Sequence, residues 1–296
     1  MNPLDLILNP DFRSNYHTHT LYCDGEDRPA ALAAEAFARG FRVLGFSGHE
    51  WSEPDYDYAM TAENEARYRA EIRDLQAQYA GRLEIYCGAE RDYFSPRRGE
   101  AFDYLIGSCH HLEEGGVIID IDNTPELLEA GIREQFAGDG MELARAYFRQ
   151  EAGVLQQTGA GIVGHFDTVT KFNGSGRDDE KGLWFDERDP VYRRAALEAV
   201  HEIVETFRAE KRCRPARYGA EPALIKAALA AGKPIFEVNT GAMARGQRQV
   251  PYPAPFILAE LVRMEVPLIL SSDCHKKELL TYGFPEAVRF ILDAAL

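Results

Sequence analysis

The chain has 296 residues, 45% hydrophobic and 27% charged, with a formal net charge of −15. That profile predicts a packed globular protein. The acidic balance argues against a nucleic-acid backbone as partner, yet it allows a small phosphorylated substrate where metal ions supply local positive charge. Five cysteines without a CxxC pair argue against a disulfide framework, and no run approaches the roughly 18 apolar residues of a membrane span.

Residues 1–12, MNPLDLILNPDF, lack the basic start and long apolar stretch of a signal peptide, so the expected location is the cytoplasm. Residues 15–20, NYHTHT, read as a first strand. Side chains two apart on a strand share a face, so His17 and His19 can converge on one point. An isolated HxH is more often one packed and one surface histidine than a chelator, and the rest of the chain has to decide. A helix-favouring run over 29–39 ends at Gly40 and is followed by a second strand, RVLGFSGH, over 42–49. A helix over 65–81 precedes a third strand, LEIYCGAE, over 83–90, and a fourth, YLIGSCHH, spans 104–111. Residues 139–159 read as helical, 160–167 as a fifth strand, and 191–211 and 221–233 as two helices. A sixth strand over 234–240, a helix over 254–266 and a seventh strand, PLILSSDCH, over 267–275 complete the series. Residues 51–66 and 170–189 are expected insertions that wall a cleft.

Strand alternating with helix predicts a parallel sheet covered by helices. The polar residues argue for closure. His17, His19, His49, Glu90, His110, His165, Glu237, Asn239, Asp273 and His275 all fall near strand C-termini, which converge on one mouth in a closed β/α barrel. Seven of the eight histidines lie at or just after strand ends, and His201 alone falls on a predicted helix. That bias favours chelation over the packing reading of HTHT. Imidazole and carboxylate donors suit Zn, Mn or Fe acting as Lewis acids, and this many donors suit two or three ions. Cys23, Cys109 and Cys274 adjoin candidate ligands; as strand neighbours of inward side chains they are expected to face the outer layer as small hydrophobes. With no repeat or linker, one domain over residues 1–296 is expected.

The ordered set HTHT, GFSGHE, CGAE, GSCH, GHFD and SSDCH resembles the motif set of the PHP (polymerase and histidinol phosphatase) superfamily. HTHTLYCDG, FEVNTGAMARG and LILSSDCH resemble its monofunctional histidinol-phosphatase branch. The likeness runs from Tyr16 to about Tyr282. It implies an α/β fold, a distorted (β/α)7 TIM-like barrel with a trinuclear metal site. Carried over position by position, it places His17, His19, Glu90 and Asp273 around one ion. Glu90 would bridge to a second ion held also by His110 and His165, and His49 and His275 would hold a third. Where many relatives carry a further histidine after the HxH pair, this chain has Asp24 and Gly25, so Asp24 is assigned as the oxygen ligand of the third site. His111 is expected to face away, and His201 to be an ordinary helix residue.

The implied activity is metal-dependent hydrolysis of a phosphomonoester, L-histidinol phosphate in histidine biosynthesis, by a metal-bound hydroxide. Asp273, His275 or a metal-bound water would supply the leaving group's proton. Arg245, just past the sixth strand, is expected to bind phosphate because a guanidinium fork matches it; Lys171 and Asn239 are placed with it on the substrate side. The same fold also accommodates another small phosphate ester or a phosphodiester or nucleic-acid end as substrate, and degenerate relatives suggest a non-catalytic metal-binding module. The retained ligand set argues against the last.

Overall fold

The computed structural model describes residues 2–54, 57–96, 102–173, 183–210 and 222–296. Its strands are β1 (Ser14–Asn15), β2 (Val43–Phe46), β3 (Glu84–Cys87), β4 (Ala89–Asp92), β5 (Leu105–Ser108), β6 (His111–Glu114), β7 (Val117–Asp120), β8 (Ile162–Val163), β9 (Ile235–Asn239) and β10 (Leu268–Ser271). The helices are α1 (Pro29–Ala38), α2 (Ala62–Tyr79), α3 (Pro125–Gln135), α4 (Gly140–Glu151), α5 (Val154–Thr158), α6 (Pro190–Glu210), α7 (Ala223–Ala230), α8 (Gly241–Ala244), α9 (Pro255–Arg263) and α10 (Phe284–Ala294).

Two parallel sheets form the centre, one of order β1-β2-β3 and one of order β10-β9-β8-β5-β4, with helices packed against them. The third predicted strand is therefore divided between two sheets. The break falls at Gly88, where the ring of Tyr104 fills the space a side chain would take. Single-residue parallel bridges tie the sheets together: His49 pairs with Glu90, Thr18 with Cys274, and Ile7 with Leu268. Apolar side chains such as Leu44, Phe46, Val163, Phe236, Val238 and Leu270 are fully buried, which gives these short strands their cohesion.

The local signals explain the helix ends. Thr61 caps α2 by accepting from the Asn64 amide at 3.2 Å, so the helix begins three residues before the predicted start. Asp139 caps α4 by accepting from the Met141 and Glu142 amides at 2.9 and 3.2 Å. The single helix predicted over 139–159 is two, because α4 stops at Glu151 and α5 begins at Val154. The β6-β7 hairpin and α3 were not anticipated. Their signal was present in Gly115-Gly116, a two-residue turn with φ of 59° and 83°, which suits the mirror-image hairpin turns. No helix among the described residues is long and apolar enough to cross a membrane.

Candidate active site

The bridges set the geometry of the site. Thr18 lies opposite Cys274 in a parallel pairing, so the flanking residues are brought side by side: His17 with Asp273, and His19 with His275. The His17 Nε2 to Asp273 Oδ1 separation is 3.6 Å, and the rings of His19 and His275 stack at 4.3 Å and 12°. The bridge from His49 to Glu90 does the same on the other side, placing His49 Nδ1 at 3.2 Å from Glu90 Oε2.

Glu90 is the centre of the arrangement. Its Oε2 faces His17 Nε2, His19 Nε2 and His49 Nδ1 at 3.1, 3.5 and 3.2 Å. Its Oε1 faces His165 Nε2 and His110 Nε2 at 2.9 and 3.2 Å and accepts from the Ser108 hydroxyl at 2.6 Å. One carboxylate thus meets five imidazoles from four strand ends. Three of those imidazoles meet further carboxylates at the other ring nitrogen: Glu237 Oε1 lies 2.8 Å from His17 Nδ1, Asp24 Oδ1 3.3 Å from His19 Nδ1, and Asp92 Oδ2 3.3 Å from His110 Nδ1. A carboxylate behind a histidine fixes its tautomer and raises its basicity toward a cation on the other nitrogen.

Electrostatics point the same way. Burial opposes the imidazolium of His17, but Glu237, Glu90 and Asp273 outweigh it and raise its pKa to about 10. Burial and the neighbouring histidines act together at His49 and, despite Glu90 and Asp24, push it down to about 3. Glu90, although buried, is held well below the usual carboxylate range by His17, His49 and His110. A positive charge is wanted where these donors meet, and a proton on every nitrogen would crowd like charges together.

Among the described residues three donor groups have atoms within 4.8 Å of one another: His17, His19 and Glu90; His49, Glu90 and His110; and His19, Asp24, His49 and His275. His19 Nε2 is buried without a hydrogen-bond partner, aimed at Glu90 and Asp273. Mixed imidazole and carboxylate donors with such an orphaned nitrogen fit divalent metal ions. Asp273 itself sits at φ 47°, in the left-handed region that few non-glycine residues other than asparagine and aspartate enter. Gly241 makes room for it, since a Cβ there would fall 2.6 Å from Asp273 Oδ2.

A cavity of about 310 Å³ opens above the donors, lined on one side by Asp24, His49, Glu90, His110, His165, Asp273 and His275. Arg245, Lys171, Asp122, Asn123, Thr168, Tyr58 and Tyr252 complete its wall. The PHP domain model matches residues 15–212, more than half of the chain. The chain belongs to the PHP domain family. Two curated relatives, each named "Probable histidinol-phosphatase", come from Schizosaccharomyces pombe and Deinococcus radiodurans. The first is 25% identical over 88% of this chain and 79% of the relative; the second is 27% identical over 94% and 92%. Among solved structures, hisK from Listeria monocytogenes superposes with a TM-score of 0.68 at 19% identity, covering 92% of this chain and 99% of its own. Histidinol phosphate phosphatase from Lactococcus lactis, complexed with zinc, L-histidinol and phosphate, gives 0.62 at 20% identity, covering 96% and 94%. At these identities the likeness shows a shared α/β fold with parallel sheets.

Within this PHP fold the nine predicted ligands, His17, His19, Asp24, His49, Glu90, His110, His165, Asp273 and His275, lie in one connected set of contacts. Asp24 faces three histidines: Oδ1 is 3.3 Å from His19 Nδ1, and Oδ2 is 2.9 Å from His275 Nε2 and 3.8 Å from His49 Nε2. His111 turns toward Asp120, and His201 pairs with Glu260 on the outer helices.

Other positions differ from expectation. Asn239 does not line the cavity; it is buried beneath it, donating to Glu237 Oε2 at 3.1 Å and accepting from the Gly241 amide at 2.8 Å. It shares a strand face with Glu237, and that face packs against the donors. Cys109 and Cys274 are buried in the core as expected, but Cys23 points inward, with Sγ 3.6 Å from His19 Nδ1, because residues 21–24 form a turn and strand alternation does not apply there. Two further acidic side chains near the site are engaged structurally: Glu50 is held by Arg91 at 3.0 Å, and Asp167 accepts from the Ala254 amide at 2.9 Å. Sequence reasoning missed Asp92, Asp122 and Tyr252. Asp92 was accessible, being two residues after Glu90 on the same strand face.

Proposed function

We propose that the chain is a metal-dependent phosphomonoesterase, a histidinol-phosphatase that hydrolyses L-histidinol phosphate in histidine biosynthesis in the cytoplasm. The observation that carries this reading is Glu90 set among five imidazoles on the floor of a cavity whose wall presents Arg245 and Lys171. The names of the two curated relatives, and the histidinol and phosphate bound by the Lactococcus lactis protein, support the substrate. The inter-sheet bridges support a distorted (β/α)7 barrel forming one domain over residues 1–296.

Two or three divalent ions, zinc, manganese or iron, suit the donors. His17, His19, Glu90 and Asp273 would hold one; Glu90, His110 and His165 a second; His49, His275 and Asp24 a third. Such ions supply Lewis acidity to phosphoryl oxygens and lower the pKa of water. Glu237 orients His17 from behind through its hydrogen bond to Nδ1, and Asp92 fixes the His110 backbone by accepting from its amide at 3.0 Å while its Oδ2 lies 3.3 Å from Nδ1. Arg245 is itself oriented: Nη2 donates to Asp273 Oδ2 at 3.0 Å and Nη1 to the Asp273 carbonyl at 3.3 Å. Nη2 keeps a second N–H for a phosphate oxygen. Burial would raise the Asp273 carboxyl, but Arg245 and His17 hold it well below the carboxylate range, so it accepts rather than donates protons. The proton for the leaving alkoxide would then come from a water molecule, or from His275 where that ring does not hold an ion.

The test is phosphate release by the manganese-loaded protein across a panel of phosphomonoesters that includes L-histidinol phosphate. A clear kcat/KM preference for that compound is expected. Comparable weak turnover of every ester would overturn the substrate assignment. No turnover of any monoester would overturn the phosphomonoesterase reading in favour of a diesterase or a non-catalytic module.

A further inference from the structure

Among the described residues four carboxylates line the cavity, and three of them, Asp24, Glu90 and Asp273, face histidines of the donor groups. The fourth, Asp122, belongs to none of those groups. It holds Lys171 instead: Nζ donates to the Asp122 carbonyl at 2.5 Å and to Oδ2 at 3.3 Å. Both side chains are largely buried, 16% and 13% exposed. An anionic residue in a cavity that takes a dianionic phosphate is unfavourable for binding unless it meets a cation there. Lys171 shows that an alkylammonium fits against Asp122.

Resting on the phosphomonoesterase reading above, we propose that Asp122 is the specificity-determining residue for the organic part of the substrate. Its carboxylate takes the ammonium of an amino-alkyl phosphate in place of Lys171, and the released Lys171 turns to the phosphate. The two ends of the substrate are thereby read together. A phosphomonoester without an amine leaves Lys171 on Asp122 and gains neither contact. The substrate class is thus an alkyl phosphate bearing a protonated amine, and a neutral or acidic alkyl phosphate is discriminated against.

The experiment compares kcat/KM for L-histidinol phosphate and for the phosphate ester of 3-(imidazol-4-yl)propan-1-ol, which lacks only the amine. The wild-type protein should prefer the amine-bearing ester by roughly 30-fold, the scale of a hydrogen bond to a charged group. In Asp122→Asn that preference should fall to about threefold or less, through loss on the amine-bearing ester. Lys171→Met loses the phosphate contact on the amine-bearing ester, but it also leaves Asp122 an unpaired anion facing the phosphate of the amine-less ester, which has no ammonium to neutralise it; the second loss is the larger, so the preference for the amine rises above wild type. A wild-type preference kept by Asp122→Asn, or an equal loss on both esters, would overturn the proposal and leave Asp122 as a prop for Lys171. An unchanged preference in Lys171→Met would overturn it too, and that variant serves if Asp122→Asn fails to fold. A wild-type protein that cleaves neither ester overturns the phosphomonoesterase reading first, and is recognised before any variant is compared.

Discussion

His17 and His201 each meet a carboxylate at hydrogen-bond distance, yet they belong to different kinds of place. His201 sits on the outer face of α6, 40% exposed, with Nε2 2.5 Å from Glu260. His17 is fully buried, with one nitrogen against Glu237 and the other against Glu90 and within 3.6 Å of Asp273. Solvent and salt screen the first pair, and such pairs contribute about 0–1 kcal/mol. Around His17 bulk solvent is excluded, so the carboxylates face its charge unscreened. Pairing alone is therefore uninformative; convergence under burial separates a chelating cluster from a surface ion pair.

Replacing Glu90 should break the cavity side of that comparison most severely. Glu90→Gln is expected to lower metal content after dialysis and phosphate release by more than about 100-fold, beyond the range seen when only a backing residue is lost. Glu237→Gln, which removes the partner behind His17, should cost roughly 10- to 100-fold in metal affinity or activity while leaving the direct donors in place. If both variants lose the same amount, the distinction between donor and backing residue fails.

A pH series sharpens the contrast. His17 is raised in the folded metal-free protein, so its contribution to stability is complete below the unfolded value of about 6.5 and is lost as pH rises toward about 10. Ion binding runs the other way, because its ligands must be deprotonated. The gap in Tm between metal-loaded and metal-free protein should therefore widen from pH 6.5 to 9. A constant gap would show that no proton on His17 gives way to an ion. His201→Ala, the smallest effect, should change stability by less than about 1 kcal/mol in denaturant unfolding and leave phosphate release at the wild-type rate.

Much of the site was legible because strand alternation and strand ends are written locally. HTHT puts two imidazoles on one face, and GSCH, GHFD and SSDCH each mark a strand end, whereas CGAE spans the break between β3 and β4 and leaves Glu90 inside β4. The third strand was legible as an apolar run, but its division at Gly88 was not, since that depends on Tyr104, which is distant in sequence. Asn239 was misplaced for a related reason: alternation shows that it shares a face with Glu237, but not whether that face lines the cavity or supports it from beneath. The turn of residues 21–24 likewise turns Cys23 toward His19, where strand periodicity no longer applies.

The sequence by itself determined most of the helices and parallel strands, the inventory of donors and their order along the chain, because side-chain chemistry and backbone periodicity are properties of neighbouring residues. Only the tertiary structure decided which donors share a carboxylate, that Glu237 and Asp92 stand behind His17 and His110, and that Asp122 and Lys171 face each other across 49 positions. Those relations depend on bridges between residues such as Thr18 and Cys274, and on burial that strips water from charges. Both arise only when segments distant in sequence pack together.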